Sequence, residues 1–418
     1  MINRTTAPTI QTIDHIDLQE PAIQELKNGA PVYHIGEVDD ETVRLDFVFN
    51  SGSLSNSRVI SKVASSLLLS GTENKTSSEI EEAVDQLGGF TIIDDSLEKN
   101  CVTIIGLREH IIAIAEIVID AIKNVNFDER EINQFLQSHK KKMAISLEKG
   151  TTQARRAFLS NLFEDNPYGE LTELKDYDRV EQKELIEFHN TNYLSGLHYI
   201  SIVGNLSEDE INTVGRLGEQ FKVNNHLPEE LTYKNAPKRI HIEKEKAVQT
   251  AIRVGRLMFN KTHKDFIDFS ILNTVLGGFF GSRLMTSIRE DKGYTYGIGS
   301  GVAQLNETGY FFISTEVGKE FKDLTLEAIQ VEIKKLQDEE IDEEELSLVK
   351  NYMIGSILES SDGPQAMMDR FLSVQKFGME ISYYDTILER INGITANEIK
   401  QLANRYLNWE DFLVVTAG

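Results

Sequence analysis

The run Leu276-Gly277-Gly278-Phe279-Phe280-Gly281-Ser282-Arg283-Leu284, followed after three intervening residues by Ile288-Arg289-Glu290-Asp291-Lys292-Gly293-Tyr294-Thr295-Tyr296-Gly297, reads as helix, stop and strand. A helix starting near Ser282 puts Leu284 and Ile288 on a core face. Gly293 ends it, and Tyr296 begins a strand. Arg289 then falls in the last helical turn, where the helix dipole favours a cation by about 0.3–1 kcal/mol. Taken on spacing alone, the pair also fits a surface arginine among local carboxylates and a strand tyrosine in the core.

Toward the C-terminus, residues 395–407 predict an amphipathic helix capped by Thr395 and Glu398, ending Tyr406-Leu407-Asn408 before the strand Phe412-Leu413-Val414-Val415. The same ending occurs earlier: a helix over 183–194 closes with Tyr193-Leu194-Ser195 and leads into Tyr199-Ile200-Ser201-Ile202-Val203-Gly204. The offset is 406 − 193 = 213, about half the chain, whereas the Gly-Gly pairs at 88–89 and 277–278 differ by only 189. In the first half, Pro31-Val32-Tyr33-His34-Ile35-Gly36 and Arg44-Leu45-Asp46-Phe47-Val48-Phe49 predict strands. Leu45, Phe47 and Phe49 share one face, with Arg44 and Asp46 opposite. A helix from Val59 to Ser70 stops at Gly71-Thr72, and Thr76 with Glu79 caps a second that Gly88 ends. A hairpin around Asp94-Asp95 leads to Cys101-Val102-Thr103-Ile104-Ile105, and Asp128 with Glu131 caps a later helix. The expectation is two α+β domains of similar size: residues 1–222, a polar linker over 223–237, and residues 238–418.

At 418 residues the chain is long enough for more than one core, and 40% hydrophobic residues with seven prolines describe a folded protein. Lys+Arg 43 against Asp+Glu 67 gives a net charge of −24, which repels a phosphate backbone, so no nucleic acid is expected. The longest apolar stretch, Ile111 to Ile122, is cut by Glu116 and Asp120, so no membrane span is expected either. Met1-Ile2-Asn3-Arg4-Thr5-Thr6-Ala7-Pro8 carries no apolar signal region. The expected location is cytoplasmic, or periplasmic if a leader has been removed. Cys101 is the single cysteine. No two of the nine histidines stand four apart, so no helix offers paired imidazoles. Phosphate-cradle and nucleophile-elbow motifs are also missing.

The 276–297 run resembles the C-terminal half of the pitrilysin/insulinase metallopeptidase family. There an R-E-x-x-G-x-x-Y setting forms an arginine–tyrosine element of the active site, and Arg289 and Tyr296 match its spacing. The resemblance extends over nearly the whole chain, through Phe49-Asn50-Ser51-Gly52-Ser53, Ser70-Gly71-Thr72 with Leu87-Gly88-Gly89, Asn166-Pro167-Tyr168-Gly169, and Asn192-Tyr193 to Gly204. It implies two homologous α+β halves, each a sheet with helices on one face, closing as a clamshell around a peptide chamber.

One departure changes the functional expectation. The family's H-x-x-E-H precedes a Gly-Thr pair by nine residues, and counting back from Gly71 the three positions hold Lys62, Ser65 and Ser66. An ammonium is no zinc ligand and serine is a poor one. The family's third ligand should fall near Gln137 to His139, where no glutamate stands. Lys62 and Ser66 lie four apart on one helical face, which admits a serine–lysine pair as well as a solvated polar face. The resemblance therefore implies a non-catalytic or half-site subunit with no cofactor of its own. Zinc is expected in a homologous partner subunit, a homodimer being the other assembly. Peptide is the expected substrate, and Arg289 and Tyr296 are the expected catalytic contribution. The alternative is an inactive scaffold or peptide-binding protein of the same fold.

Overall fold

The computed structural model describes residues 13–36, 40–224, 231–235 and 237–418. Residues 225–230 and 236 of the expected linker over 223–237 thus lie outside the described residues.

The first sheet contains β1 (Ala22–Glu25), β2 (Pro31–Ile35), β3 (Thr42–Phe49), β4 (Phe90–Asp95), β5 (Asn100–Leu107) and β6 (Leu197–Val203), in the order β1-β2-β6-β3-β5-β4. Between and after them run α1 (Arg58–Ser66), α2 (Ser77–Gln86), α3 (Arg108–Lys123), α4 (Glu129–Leu147), α5 (Gly150–Leu162), α6 (Gln182–Asn192) and α7 (Glu208–Gly218). Leu45, Phe47 and Phe49 of β3 join Val102 and Ile104 of β5 in one core with Ile111, Ile114 and Val118 of α3. Each such buried side chain contributes about 1.5–3 kcal/mol. The Thr76–Glu79 capping box forms, and Gly88 ends α2 with φ +66°.

Asp46 lies opposite Leu45, Phe47 and Phe49 as alternation places it, and it is buried between its cross-strand neighbours Thr103 and Ser201. Its carboxylate accepts from Thr103 Oγ1 at 2.6 Å and Ser201 Oγ at 2.8 Å and pairs with Arg44 Nε at 3.0 Å, the partners a buried charge requires. The helix expected to reach Ser70 ends at Ser66; Leu67 and Leu68 are still buried, in the turns that lead to Gly71 at φ +136°.

The second sheet contains β7 (Arg239–Ile242), β8 (Gln249–Met258), β9 (Thr295–Gln304), β10 (Gly309–Gly318) and β11 (Leu413–Ala417), in the order β7-β11-β8-β10-β9. Its helices are α8 (Phe266–Asn273), α9 (Lys322–Asp338), α10 (Glu343–Glu359), α11 (Pro364–Gln375), α12 (Tyr383–Gly393) and α13 (Ala396–Tyr406). The topology repeats that of the first sheet. β6 lies parallel to β2 and antiparallel to β3, and β11 lies parallel to β7 and antiparallel to β8. The helix starts repeat too, at 322 − 108 = 214, 343 − 129 = 214, 364 − 150 = 214 and 396 − 182 = 214. The glycine that matches Gly88 is Gly293, also at φ +66° before an edge strand, at 293 − 88 = 205. The Gly277-Gly278 pair serves close packing instead. A Cβ on Gly277 would come within 2.6 Å of Ser300 Oγ and 2.8 Å of Ser300 N, so its backbone packs directly on β9.

By compactness the chain forms two units. One gathers Met258–Asp362 and Arg370–Asp411 with residues 13–18; the other gathers Gln19–Leu257, Gly363–Asp369 and Phe412–Gly418. Among the described residues no helix is long and apolar enough to cross a membrane.

Candidate functional site

The helix expected from Ser282 is present but wound differently. Arg283 and Leu284 take α geometry and Met285–Asp291 is a π-wound segment, a form often found at functional sites. Leu284 and Ile288 are fully buried, as their spacing requires. Gly293 reverses the chain, and Tyr294 N–H donates to Ile288 O at 3.1 Å. Thr295 then fixes the start of β9: its hydroxyl donates to Glu316 O at 2.8 Å and accepts from Thr315 Oγ1 at 2.9 Å.

Tyr296, the next residue, is 94% exposed, and among the described residues its hydroxyl makes no hydrogen bond. The core role that spacing alone allows is therefore not what the fold gives it. Arg289 is held rather than loose. Its Cζ lies 4.7 Å over the centroid of the Phe280 ring and its Nη1 stands 3.7 Å from Glu290 Oε1. A guanidinium on an aromatic face is favoured by about 0.5–1 kcal/mol when exposed. Phe280 is itself 64% exposed. It lies inside the 276–297 run, yet its part as a platform depends on a turn that spacing does not reveal. A bidentate pair at 2.7 Å between Arg283 and Glu345 ties the start of the same segment to α10.

The degenerate motif positions form a separate polar cluster on α1. Lys62 Nζ donates to Asp95 Oδ1 at the end of β4, at 2.7 Å, with both side chains about one-third exposed. Ser66 is exposed, and Lys62 is engaged by Asp95 rather than by that hydroxyl. Ser65 is fully buried; it donates to Ser61 O at 2.7 Å and accepts from Asn100 Nδ2 at 2.9 Å and Tyr193 Oη at 2.7 Å. His139 of α4, at the edge of the expected third-ligand stretch, meets Tyr177 Oη at 3.0 Å and stacks on Phe135. Its pKa is lowered by burial first, then by the Lys62 ammonium. Asp95, Asn100, Tyr177 and Tyr193 carry no sequence signal for these contacts, which join residues 33 to 128 positions apart.

This donor set does not fit zinc. Three protein ligands are the usual minimum. Here an ammonium already holds the nearby carboxylate, and one hydroxyl is consumed inside a buried network. Among the described residues no group of three or more His, Cys, Asp or Glu side chains is arranged to hold a metal ion.

Residues 179–353 match the family domain described as the peptidase M16 inactive domain. The chain is 26% identical over 401 residues to a Rickettsia felis protein described as an uncharacterized zinc protease, covering 92% of this chain and 94% of that one. A Bacillus subtilis protein of the same description is 25% identical over 366 residues, covering 84% and 86%. In fold the chain resembles the crystal structure of a peptidase M16 inactive domain from Pseudomonas fluorescens, with TM-score 0.87, 20% identity and coverage of 96% and 98%. It also resembles a protease from Helicobacter pylori, with TM-score 0.84, 16% identity and coverage of 96% and 100%. Over residues 179–353 the chain is thus similar to the peptidase M16 inactive domain, and along most of both chains it is similar to proteins described as zinc proteases, while it carries no H-x-x-E-H motif.

Proposed function

We propose that this chain is a half-site subunit of a zinc-dependent peptidase: it binds peptide and supplies Arg289 and Tyr296 to the active site of a zinc-bearing homologous partner. The observation that carries the reading is the 94% exposure of Tyr296, together with an Arg289 guanidinium steadied by Phe280. A tyrosine kept for packing would be covered, and here the strand start is fixed by Thr295 while the phenol stands free in solvent. The Lys62–Asp95 pair and the buried Ser65 support the other half of the proposal, that this chain brings no metal.

In this reading the partner's zinc supplies the activated water. This chain's part is positioning and charge stabilisation. The Tyr296 hydroxyl donates to the oxygen on which negative charge develops, and Arg289 holds a peptide carbonyl or carboxylate through donors that Phe280 leaves available. One such donor is worth about 2.7–4 kcal/mol of transition-state stabilisation. The test is co-expression with a homologous chain that carries H-x-x-E-H, co-purification, and cleavage of a fluorogenic peptide library by each chain alone and by the pair. Cleavage by the pair that neither chain achieves alone supports the half-site reading. A partner fully active alone reduces this chain to a scaffold or peptide-binding subunit.

A further inference from the structure

Arg44, Arg58, Arg156 and Arg283 are buried to the same depth, each with 18–21% of its side chain exposed. Three of them hold a carboxylate: Arg44 meets Asp46 at 3.0 Å, Arg156 meets Glu173 at 2.8 Å and Arg283 meets Glu345 at 2.7 Å. Arg58, the first residue of α1, does not. Its Nη2 donates to Pro167 O, and its one carboxylate neighbour among the described residues, Glu170, stands 4.0 Å from Nε, beyond hydrogen-bond reach. Among those residues Nε and Nη1 reach no acceptor, so most of a five-donor guanidinium is unused. Burial outweighs the pull of Glu170 and, with Arg156 as a nearby like charge, holds the Arg58 pKa below its ordinary value. For Arg44 and Arg283 burial acts the same way, but the paired carboxylates outweigh it and the pKa rises. A desolvated cation short of its anion is costly, and an incoming carboxylate relieves it.

Arg58 lines a cavity of about 510 Å³ between the start of α1 and the stretch 170–184 that runs into α6. That volume lies within the range of about 300–1,000 Å³ found for small-molecule sites. Val59, Ile60, Leu171 and Val180 line the same space, all of them buried or half-buried. Glu170 lines it too, and among the described residues its exposed side chain makes no hydrogen bond. The other carboxylates of the cavity are engaged. Glu173 holds Arg156, while Asp176 and Glu184 accept from Glu173 N and Glu181 N as caps.

We propose that this cavity binds a free α-amino acid with an aliphatic side chain. Its carboxylate sits on Arg58, its ammonium on Glu170, and its side chain against Val59, Ile60, Leu171 and Val180. The 4.0 Å between the Arg58 and Glu170 head groups suits a ligand that carries both charges on one carbon. A simple anion would gain Arg58 but face Glu170 unrelieved, whereas a zwitterion satisfies both. The apolar lining then selects the side chain by its buried area.

The test is titration calorimetry of the full-length chain at low ionic strength, where charged contacts are least screened. The probes are L-leucine, leucinamide, which lacks the carboxylate, and N-acetyl-L-leucine, which lacks the ammonium. The expected result is one leucine site per chain, with each derivative about tenfold or more weaker and leucine itself weakened about tenfold or more in Arg58→Gln. No leucine binding up to about 10 mM, a derivative that binds as well as leucine, or equal leucine affinity in wild type and folded Arg58→Gln overturns the proposal. Circular dichroism establishes that the variant is folded; the three-probe comparison on the wild-type chain carries the test if it is not. Binding is read without a partner or turnover, so the outcome is independent of the half-site reading.

Discussion

Asn100→Ala probes what holds the degenerate motif helix in place. Asn100 is fully buried; its two Nδ2 protons are shared among Ser51 O at 3.0 Å, Ser65 Oγ at 2.9 Å and Tyr193 Oη at 3.0 Å, and its Oδ1 accepts from Ser96 N at 2.9 Å. Truncation leaves Ser51 O its bond from Ser61 Oγ and leaves Tyr193 its bond to Ser65, but Ser96 N–H loses its acceptor. Ser96 is exposed, so water can replace its lost acceptor; each of the three hydrogen bonds that Asn100 makes is worth about 1 kcal/mol net, so the total is about 3 kcal/mol. Ser65→Ala should cost far less, about 1 kcal/mol, because the Tyr193 hydroxyl can turn to Ser51, whose Oγ otherwise lacks a partner. In urea, with a slope of about 3 kcal/mol/M, the midpoints should fall by about 1 M and about 0.3 M. Far-UV circular dichroism reads both. Equal shifts, or an Asn100→Ala midpoint within about 0.3 M of wild type, refute the hub role.

Two further outcomes follow from the same geometry. The isolated chain should carry well under one zinc by elemental analysis and cleave no peptide; one tightly bound zinc per chain, lost in His139→Ala, contradicts the donor-set argument. His198 is held down to about 4, by burial and then by Lys99, so its folded pKa lies below the unfolded value. Its contribution to stability is complete above about pH 6.5 and is lost as pH falls toward 4. The urea midpoint of His198→Gln should therefore fall less between pH 7 and pH 5 than that of wild type, and parallel pH dependences would contradict the assignment.

The parts of the fold legible in the sequence were those set by short-range chemistry. The capping boxes at Thr76 and Thr395 and the stop at Gly88 formed where residue type and spacing put them. The matched endings at Tyr193 and Tyr406 pointed to a repeat that the sheet topologies bear out. What failed needed neighbours. Alternation put Asp46 opposite Leu45, Phe47 and Phe49 but could not show its burial, which comes from Thr103 on β5, Ser201 on β6 and Arg44 gathered round the carboxylate. The Gly-Gly pairs blurred the repeat because Gly277 answers to close packing on β9, whereas Gly293 is the counterpart of Gly88. At the site, the spacing of Arg289 and Tyr296 took on meaning only through the family resemblance. Phe280 beneath Arg289 and Asp95 opposite Lys62 depend on turns and hairpins that no periodicity records.

The most direct test of the half-site reading is Tyr296→Phe in the assembled complex with the H-x-x-E-H partner. The substitution keeps the ring and deletes one exposed hydroxyl, so stability should change by no more than about 0.5 kcal/mol and assembly should be unaffected. Turnover of the peptide substrate should fall by roughly a hundredfold or more. A complex that assembles with Tyr296→Phe and turns over at the wild-type rate would contradict the catalytic contribution and leave this chain a scaffold or peptide-binding subunit.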